Sequence, residues 1–316
     1  MDVKLMTIGY PGYDQIMRVN LPPEVGETAI ILDPPGIPQS TPGGCVNNIA
    51  VTAARRGVGT APVIFVGDDD DGQNMKQALE NENVNTSCIH FVKGGKTPGT
   101  FLFIEPSGGH QTYYFPGCAD ENISPEISKE ILNGLEYGVI TVGNPFHTRW
   151  FMNLLTDLNL PLVWSLRNDS HAFPNDLALM LLQQSKMIVM NEYEARTLVS
   201  NLKIGHLDAV FSLGVETVVM TMGAEGSKVI QENTMEVIPS VSPKAIVDTT
   251  GAGDAFLGGL LAGLCMGVPI YDAARIGATA ASFVLEKWGS QTNLPDLMTL
   301  SIRFKKTFGK ELDIWN

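Results

Sequence analysis

Short apolar runs with strand character alternate with helical stretches through most of this 316-residue chain, and this alternation strongly constrains the fold. Strands that are joined through helices form a mostly parallel sheet with helices on both faces. The last third of the chain, residues 255–310, is predicted to be helical and to cap the sheet. The predicted strands are residues 3–9, 61–66, 139–142, 162–164, 187–190 and 218–221, and the first two predicted helices are 46–56 and 73–83.

Two β-rich segments near the N-terminus interrupt the alternation. Their short runs are separated by prolines and glycines, which favour turns. We predict that they pair as a small separate sheet, a lid on one large domain, formed from about 10–38 and 88–117. The runs are residues 16–21, 28–32, 89–92, 100–104 and 111–115, with a hairpin turn at 107–109.

The composition narrows the possible partners and the compartment. A formal net charge of −13 and an isoelectric point near 4.8 argue against nucleic acid or an anionic membrane as a partner. The four cysteines have no CxxC spacing, so neither a zinc site nor a disulfide framework is indicated. The first residues have no basic segment before a long apolar run, so we expect no signal peptide and a cytoplasmic location.

A tight glycine turn opens directly into an apolar helix at residues 248–261, Asp-Thr-Thr-Gly-Ala-Gly-Asp-Ala-Phe-Leu-Gly-Gly-Leu-Leu. The amides of Gly251, Ala252 and Gly253 are expected at a helix N-terminus, where an oxyanion or phosphate binds. Asp254 beside them would repel phosphate unless it takes a proton from an attacking hydroxyl. In isolation, a GxGD segment favours a simpler interpretation, a helix capped by Asp254 that packs on a neighbour through Gly258 and Gly259.

A second glycine pair precedes a helix at residues 43–50, Gly-Gly-Cys-Val-Asn-Asn-Ile-Ala. Gly43 and Gly44 would let a polyol approach the backbone, and Asn48 offers both a donor and an acceptor to hydroxyl groups. A plain junction between a loop and a helix is the alternative. Together, these two segments resemble the N-terminal and C-terminal signatures of the ribokinase/PfkB family of carbohydrate kinases.

The resemblance covers almost the whole chain and implies a ribokinase-like three-layer α/β/α sandwich, with a mostly parallel central sheet and a small β-sheet lid. The implied reaction is transfer of the γ-phosphoryl group of ATP, with Mg²⁺, to a hydroxyl of a sugar or sugar-like substrate. Asp254 would then be the base, and the amides after Gly251 would stabilise the transferring group. Asp14, which follows the first strand, matches an aspartate that binds sugar hydroxyls in the family, although it could be a simple turn residue.

Further positions match the nucleotide and metal sites of the family. Asn191 and Glu194 fit an NxxE motif near Mg²⁺ and the phosphates, with Glu194 acting through water, although they also fit a helix cap. The loop that begins at Thr221 resembles the nucleotide loop, in which Gly223 and Gly226 leave room for nucleotide. The positions that resemble a monovalent-cation site, which would hold K⁺, are Asp248 and Thr250.

Departures from the family pattern leave the identity of the acceptor substrate undetermined. Cys45 stands where ribokinases proper carry a lysine, Val46 where a small residue or proline is usual, and Ser165 where many members carry an aspartate. A nucleoside kinase of the same family shares every motif. Aromatic residues at 112–117 could stack a base, although the core of the lid is their more common use. A non-catalytic sugar- or nucleotide-binding protein is disfavoured by Asp254. An exposed edge of the lid would let two copies pair as a homodimer.

Overall fold

The computed structural model describes residues 2–21, 23–24, 26–32, 39–106 and 110–312. In chain order its strands are β1 (Val3–Ile8), β2 (Gly12–Arg18), β3 (Gln39–Gly43), β4 (Gly59–Gly67), β5 (Ile89–Val92), β6 (Gly99–Ile104), β7 (His110–Phe115), β8 (Tyr137–Ile140), β9 (Leu162–Ser165), β10 (Ser185–Asn191), β11 (Thr217–Thr221), β12 (Ser227–Gln231) and β13 (Thr234–Ile238). The helices are α1 (Cys45–Ala54), α2 (Asp70–Asn81), α3 (Lys129–Leu132), α4 (Pro145–Asp157), α5 (Asn175–Gln184), α6 (Glu192–Leu202), α7 (Ala252–Cys265), α8 (Ile270–Val284) and α9 (Leu297–Phe308).

The large sheet has nine strands in the order β13-β12-β11-β10-β9-β8-β1-β4-β5. Across this sheet, every pairing in the run β11-β10-β9-β8-β1-β4-β5 is parallel. This confirms the fold predicted from the alternation of strands and helices. The two remaining strands, β12 and β13, form an antiparallel hairpin at one edge that the sequence analysis did not predict. The carboxyl ends of the parallel strands meet at one edge, which is where α/β proteins place their ligands.

The small sheet has four strands in the order β3-β2-β6-β7. It contains the runs predicted at 100–104 and 111–115, whereas two other predictions were wrong. Residues 28–32 form no strand and contribute a single bridge, between Val19 and Ile31. Residues 89–92 are β5 and pair with β4 in the large sheet, because the fully buried β4 needs a partner on its far side. The predicted turn at 107–109 and residues 33–38 lie outside the described residues.

Helix α7 lies in the interior and brings the two signature segments together. Its sequence is apolar on all sides, as expected for a buried helix. A Cβ on Gly258 would lie 2.6 Å from Cβ of Thr52, and one on Gly259 would lie 3.0 Å from Cα of Gly277. These glycines therefore let α1 and α8 approach α7 closely.

No helix in the described part of the chain is long and apolar enough to span a bilayer. All four cysteines are free, in agreement with the absence of a disulfide pattern in the sequence.

Candidate active site

The start of α7 is an open helix N-terminus. Gly251 precedes the helix in the left-handed conformation with φ of 77°, and a Cβ there would lie 2.3 Å from Cβ of Ser290, so only glycine fits. Gly253 is exposed, and a Cβ on it would meet nothing closer than Nη2 of Arg167, at 3.6 Å. The Ala252 amide donates to the carbonyl of Thr249 at 3.3 Å. Since first-turn amides have no acceptor within the helix and lie at its positive end, this turn can bind an anion.

The carboxylate of Asp254 lies in the same turn and is 4% exposed. Nη2 of Arg167 donates to its Oδ1 at 2.8 Å, and Nδ2 of Asn48 donates to its Oδ2 at 2.9 Å. The carboxylate therefore has two donors, one from the edge of the large sheet and one from α1. Asp254 faces a group of polar side chains and is not a plain helix cap.

Asn48 is held in a fixed orientation from the opposite side. Its Oδ1 accepts a hydrogen bond from Oγ of Ser290 at 2.9 Å and another from Nε2 of Gln291 at 2.8 Å. Because the carbonyl end is fixed by two donors, the amide end points to Asp254. Ser290 and Gln291 were not predicted as site residues, since they lie more than 240 positions from Asn48 in the chain.

Asp14 lies on β2 and is buried against the glycine pair. A Cβ on Gly43 would lie 2.1 Å from Oδ2 of Asp14, so a larger residue at position 43 would clash with the Asp14 side chain. Gly44, with φ of 85°, caps α1. Burial raises the pKa of Asp14 to about 7, and the negative charges of Asp254 and Asp248 add to the shift while a hydrogen bond from Thr100 opposes it. Asp14 and Asp254 are thus coupled parts of one acidic site.

Arg167 is the charged residue that the sequence analysis missed. It follows β9, and its Nη1 donates to the carbonyl of Leu166 at 3.0 Å and lies 4.0 Å from Oε1 of Glu194. Burial lowers the pKa of the guanidinium, but neighbouring groups, among them the carboxylates of Asp254 and Glu194, outweigh burial and raise that pKa above its ordinary value. Ser165, two residues before it, was noted as a departure from the family pattern, but nothing in the sequence indicated that Arg167 pairs with Asp254.

Cys45 lies in the first turn of α1, beside these charges. Burial raises the pKa of its thiol to about 12, and the carboxylates of Asp254 and Asp14 add to the shift, so the side chain is an uncharged thiol at neutral pH.

Asn191 and Glu194 form a reciprocal capping box at the start of α6. The Asn191 side chain accepts from the Glu194 amide at 2.8 Å, and Oε2 of Glu194 accepts from the Asn191 amide at 2.7 Å. Glu194 is 6% exposed, and burial raises its pKa while Arg167 opposes the shift. The helix-cap interpretation of this pair is therefore correct, and the second carboxylate oxygen still faces Arg167 across 4.0 Å.

The predicted nucleotide loop is the short turn between β11 and β12. Gly223 has φ of 58° and a Cβ there would meet nothing within 4 Å, whereas a Cβ on Gly226 would lie 2.1 Å from the carbonyl oxygen of Ile238. Gly226 is thus required by the turn itself, while Gly223 leaves open space. Thr221 ends β11, and its Oγ1 donates to the carbonyl of Met190 at 3.5 Å.

Asp248 closes the loop before α7. Its Oδ1 accepts from the Thr250 amide and its Oδ2 accepts from the Gly289 amide, each at 2.9 Å. The side chain thereby joins the loop to the segment that holds Asn48 in place. Both carboxylate oxygens are engaged, so a cation here would depend on backbone oxygens.

The residues of this chain match the model of the pfkB family carbohydrate kinases over residues 34–297. The match covers most of the chain, and the protein belongs to this family. It is therefore an ATP-dependent phosphotransferase that phosphorylates a hydroxyl of a sugar or sugar-like substrate. The resemblance inferred from residues 43–50 and 248–261 is confirmed at the level of the family.

Individual relatives fall into two activity classes. The chain is 23% identical to a nucleoside kinase of Methanothermobacter thermautotrophicus over 98% of each chain. It is 26% identical to a ribokinase of Staphylococcus aureus, covering 93% of this chain and 97% of the relative. Among solved structures, a nucleoside kinase of Burkholderia thailandensis in complex with inosine superposes with a TM-score of 0.86, at 19% identity over 98% of this chain and all of the other. This last likeness establishes the fold.

Proposed function

We propose that the protein transfers the γ-phosphoryl group of MgATP to a primary hydroxyl of a nucleoside, with Asp254 as the general base. The observation that carries this proposal is the position of the Asp254 carboxylate in the first turn of α7, beside the exposed Gly253. A base next to an anion-binding helix end is the arrangement that phosphoryl transfer to an alcohol requires.

Each group of the site has a task in this mechanism. Asp14 and Asn48 hold the acceptor through hydrogen bonds to its hydroxyls, since both are buried and lie next to Asp254. The amides of Gly251 and Gly253, and the Ala252 amide once it leaves the carbonyl of Thr249, stabilise negative charge on the transferring group. Asp254 takes the hydroxyl proton as the new phosphorus–oxygen bond forms and the bond to ADP breaks. The small sheet closes over the acceptor and excludes water.

The donor set around Glu194 suits a magnesium nucleotide. A buried carboxylate whose pKa is raised by burial gains from a nearby cation, and Asn191 beside it offers an amide oxygen. We propose that these two residues hold Mg²⁺ through its water shell, where the ion would neutralise the nucleotide phosphates. Thr221, Gly223 and Gly226 form the turn proposed to contact the nucleotide.

Two further expectations stay predictions. A K⁺ ion at the backbone oxygens of Asp248 and Thr250 fits a loop whose carboxylate is already engaged by two amides. The cytoplasmic location rests on the sequence alone.

Two tyrosines near Asp14 favour a nucleoside over a free sugar as the acceptor. Thr100 pairs with Asp14 and also with Tyr114, so these three residues share one face of the small sheet. The ring of Tyr114 lies 5.0 Å from that of Tyr10, which follows β1. Tyr10 itself is buried, whereas Tyr114 packs against it and stays partly exposed. The Tyr114 ring, beside the hydroxyl-binding carboxylate, is the surface on which a nucleobase would stack and free ribose would not.

The direct test is a panel of acceptors with MgATP, with ADP formation as the readout. We expect turnover with at least one of inosine, adenosine, guanosine and cytidine, at a higher kcat/KM than with ribose or fructose. The Asp254→Asn variant provides the background rate of ATP hydrolysis. Turnover with a free sugar and none with nucleosides would show that the acceptor is a sugar and not a nucleoside. No turnover with any acceptor would contradict the kinase assignment.

The raised pKa of Asp14 predicts that kcat/KM for the acceptor depends on pH. Because its pKa is raised to about 7, the free enzyme carries a neutral Asp14 at pH 6 and a carboxylate at pH 8. The carboxylate accepts hydrogen bonds from hydroxyls and the neutral acid does so less well, so kcat/KM for the acceptor should rise with pH through about 7. The measurement is kcat/KM for the best acceptor from pH 5.5 to 9.

The Asp14→Asn variant is the control for this dependence. It keeps the shape of the side chain and removes the titration, so the rise near neutral pH should disappear. We expect kcat/KM at pH 8 to fall by about tenfold to a hundredfold, the cost of losing charged hydrogen bonds. An unchanged pH profile in this variant would assign the titration to another group.

We propose further that two copies pair through the outer face of the small sheet. Strand alternation places Phe101, Phe103, Tyr113 and Phe115 on the face opposite Asp14, and the last two are 58% and 50% exposed. A contiguous aromatic face of this kind is unusual on a monomer.

Tyr113→Glu should therefore convert a dimer to a monomer in light scattering, because a charge would be buried at the centre of the interface. Tyr193→Glu is the matched control, since Tyr193 is 60% exposed on α6. A wild-type monomer, or a dimer that survives Tyr113→Glu, would contradict this interface.

A further inference from the structure

We propose that Arg167 is a further catalytic residue, whose guanidinium moves from Asp254 to the γ-phosphoryl group when ATP binds. The inference rests on the proposed kinase function and adds a part to it. Arg167 covers the base in the structure, and the incoming phosphate uncovers it.

The position of the guanidinium is the first argument. Nη2 of Arg167 is the nearest atom to the place where a Cβ of Gly253 would lie, at 3.6 Å. The cation therefore stands directly over the open first turn of α7, next to where the amides bind an anion. A guanidinium presents its donors in a planar fork that matches phosphate oxygens, so this side chain can bind the same group as the amides do.

The occupancy of the base is the second argument. Both oxygens of the Asp254 carboxylate accept hydrogen bonds, one from Arg167 at 2.8 Å and one from Asn48 at 2.9 Å. A hydroxyl that donates to this carboxylate must therefore share an oxygen with one of the two donors or displace it. Asn48 is anchored by two donors to its Oδ1, from Ser290 and Gln291. Arg167 has one further hydrogen bond, from Nη1 to the carbonyl of Leu166, and its Nη2 is the donor that can leave.

The surroundings of Arg167 allow this movement. The side chain is 29% exposed, and Nη1 lies 4.0 Å from Oε1 of Glu194, a second carboxylate that keeps the cation balanced once Asp254 is released. A cavity of about 40 Å³ beside the guanidinium provides space and is lined in part by Asn168, Glu194 and Thr197. Cys45, which also lies beside the guanidinium, is an uncharged thiol and does not compete for phosphate.

Arg167 is the cationic side chain that pairs with Asp254 in the described part of the chain. Among the ion pairs of the described residues, Asp254 pairs with Arg167 and with no other lysine or arginine. A negatively charged protein needs a local cation to hold phosphate, because its overall field repels anions. Arg167 and the helix N-terminus together provide that local field.

The test compares the affinities of the nucleotides without an acceptor. Calorimetry gives the dissociation constants of Mg²⁺-AMP-PNP, a non-hydrolysable ATP analogue, and of MgADP. We expect the wild type to prefer the triphosphate analogue, Arg167→Met to lose about tenfold or more of that preference, and Arg167→Lys to retain part of it. Arg149→Met is the matched control, since Arg149 pairs with Asp176 at the surface at 2.6 Å.

Turnover supplies the second readout. With the best acceptor of the panel, kcat of Arg167→Met should fall by about a thousandfold, as for other arginines that stabilise a transferring phosphoryl group. An unchanged ratio of the two dissociation constants in Arg167→Met would overturn the inference while leaving the kinase assignment intact. If Arg167→Met does not fold, a wild-type ratio in Arg167→Lys overturns it instead. Failure of the kinase assignment is separate and would appear as a wild-type enzyme that turns over no acceptor.

Discussion

The Asp254→Asn variant is expected to bind MgATP and the acceptor with nearly wild-type affinity, while its kcat falls by about a thousandfold. Asparagine has the same shape and still offers one oxygen to Arg167 or Asn48, but it cannot take up a proton from the acceptor hydroxyl. General-base catalysis by a positioned side chain contributes about a hundredfold to ten-thousandfold to the rate. The expected loss is in the chemical step, so kcat should fall and KM should change little.

Steady-state kinetics with the accepted nucleoside, together with a calorimetric ATP titration, provide the measurement. Asp272→Asn is the matched control, because Asp272 lies on α8 and pairs with Lys310 and Arg275. A kcat within tenfold of wild type would remove Asp254 from the chemistry. A loss of ATP binding as large as the loss of turnover would assign the residue a structural role.

Gly253→Ala should be at least as stable as the wild type and yet lose about a hundredfold to a thousandfold in kcat. The methyl group has room, since its nearest neighbour would be Nη2 of Arg167 at 3.6 Å, and alanine is the better helix former. The same methyl group projects from the exposed first turn, where the transferring group must approach the amides. Losing one such donor typically costs a hundredfold to about a thousandfold in rate.

Gly251→Ala is the comparison that separates catalysis from folding. Its Cβ would lie 2.3 Å from that of Ser290 at a φ of 77°, so this variant should lose thermal stability. Gly253→Ala should keep its melting temperature while losing turnover. Equal turnover in Gly253→Ala and the wild type would show that the phosphoryl group does not approach this turn.

Most of the architecture was predictable because it depends on local patterns. The alternation of apolar runs and helices indicated the parallel sheet, and the six strands predicted for it are present as β1, β4, β8, β9, β10 and β11. The assignment of residues 89–92 to the small sheet failed because pairing partners are set by tertiary packing. A four-residue run carries no signal that distinguishes the edge of one sheet from the edge of another.

The proximity of residues in the candidate site was predictable where a short motif contains them. Asp254, Asn48 and the first-turn glycines belong to such motifs, and the structure brings them together. Arg167 lies 87 positions from Asp254, and its importance arises from that contact alone. Gly43 and Gly226 were predicted to leave room for ligands. In the structure, Gly43 makes room for the side chain of Asp14 and Gly226 for the carbonyl of Ile238.

The most direct test of the central claim is a crystal structure with MgADP, aluminium fluoride and the accepted nucleoside. We predict that the fluoroaluminate lies within about 3 Å of the first-turn amides of α7, with the acceptor hydroxyl between it and Asp254. We also predict that Nη2 of Arg167 has left the Asp254 carboxylate for the fluoroaluminate. A fluoroaluminate bound away from Gly251, Ala252 and Gly253 would contradict the account.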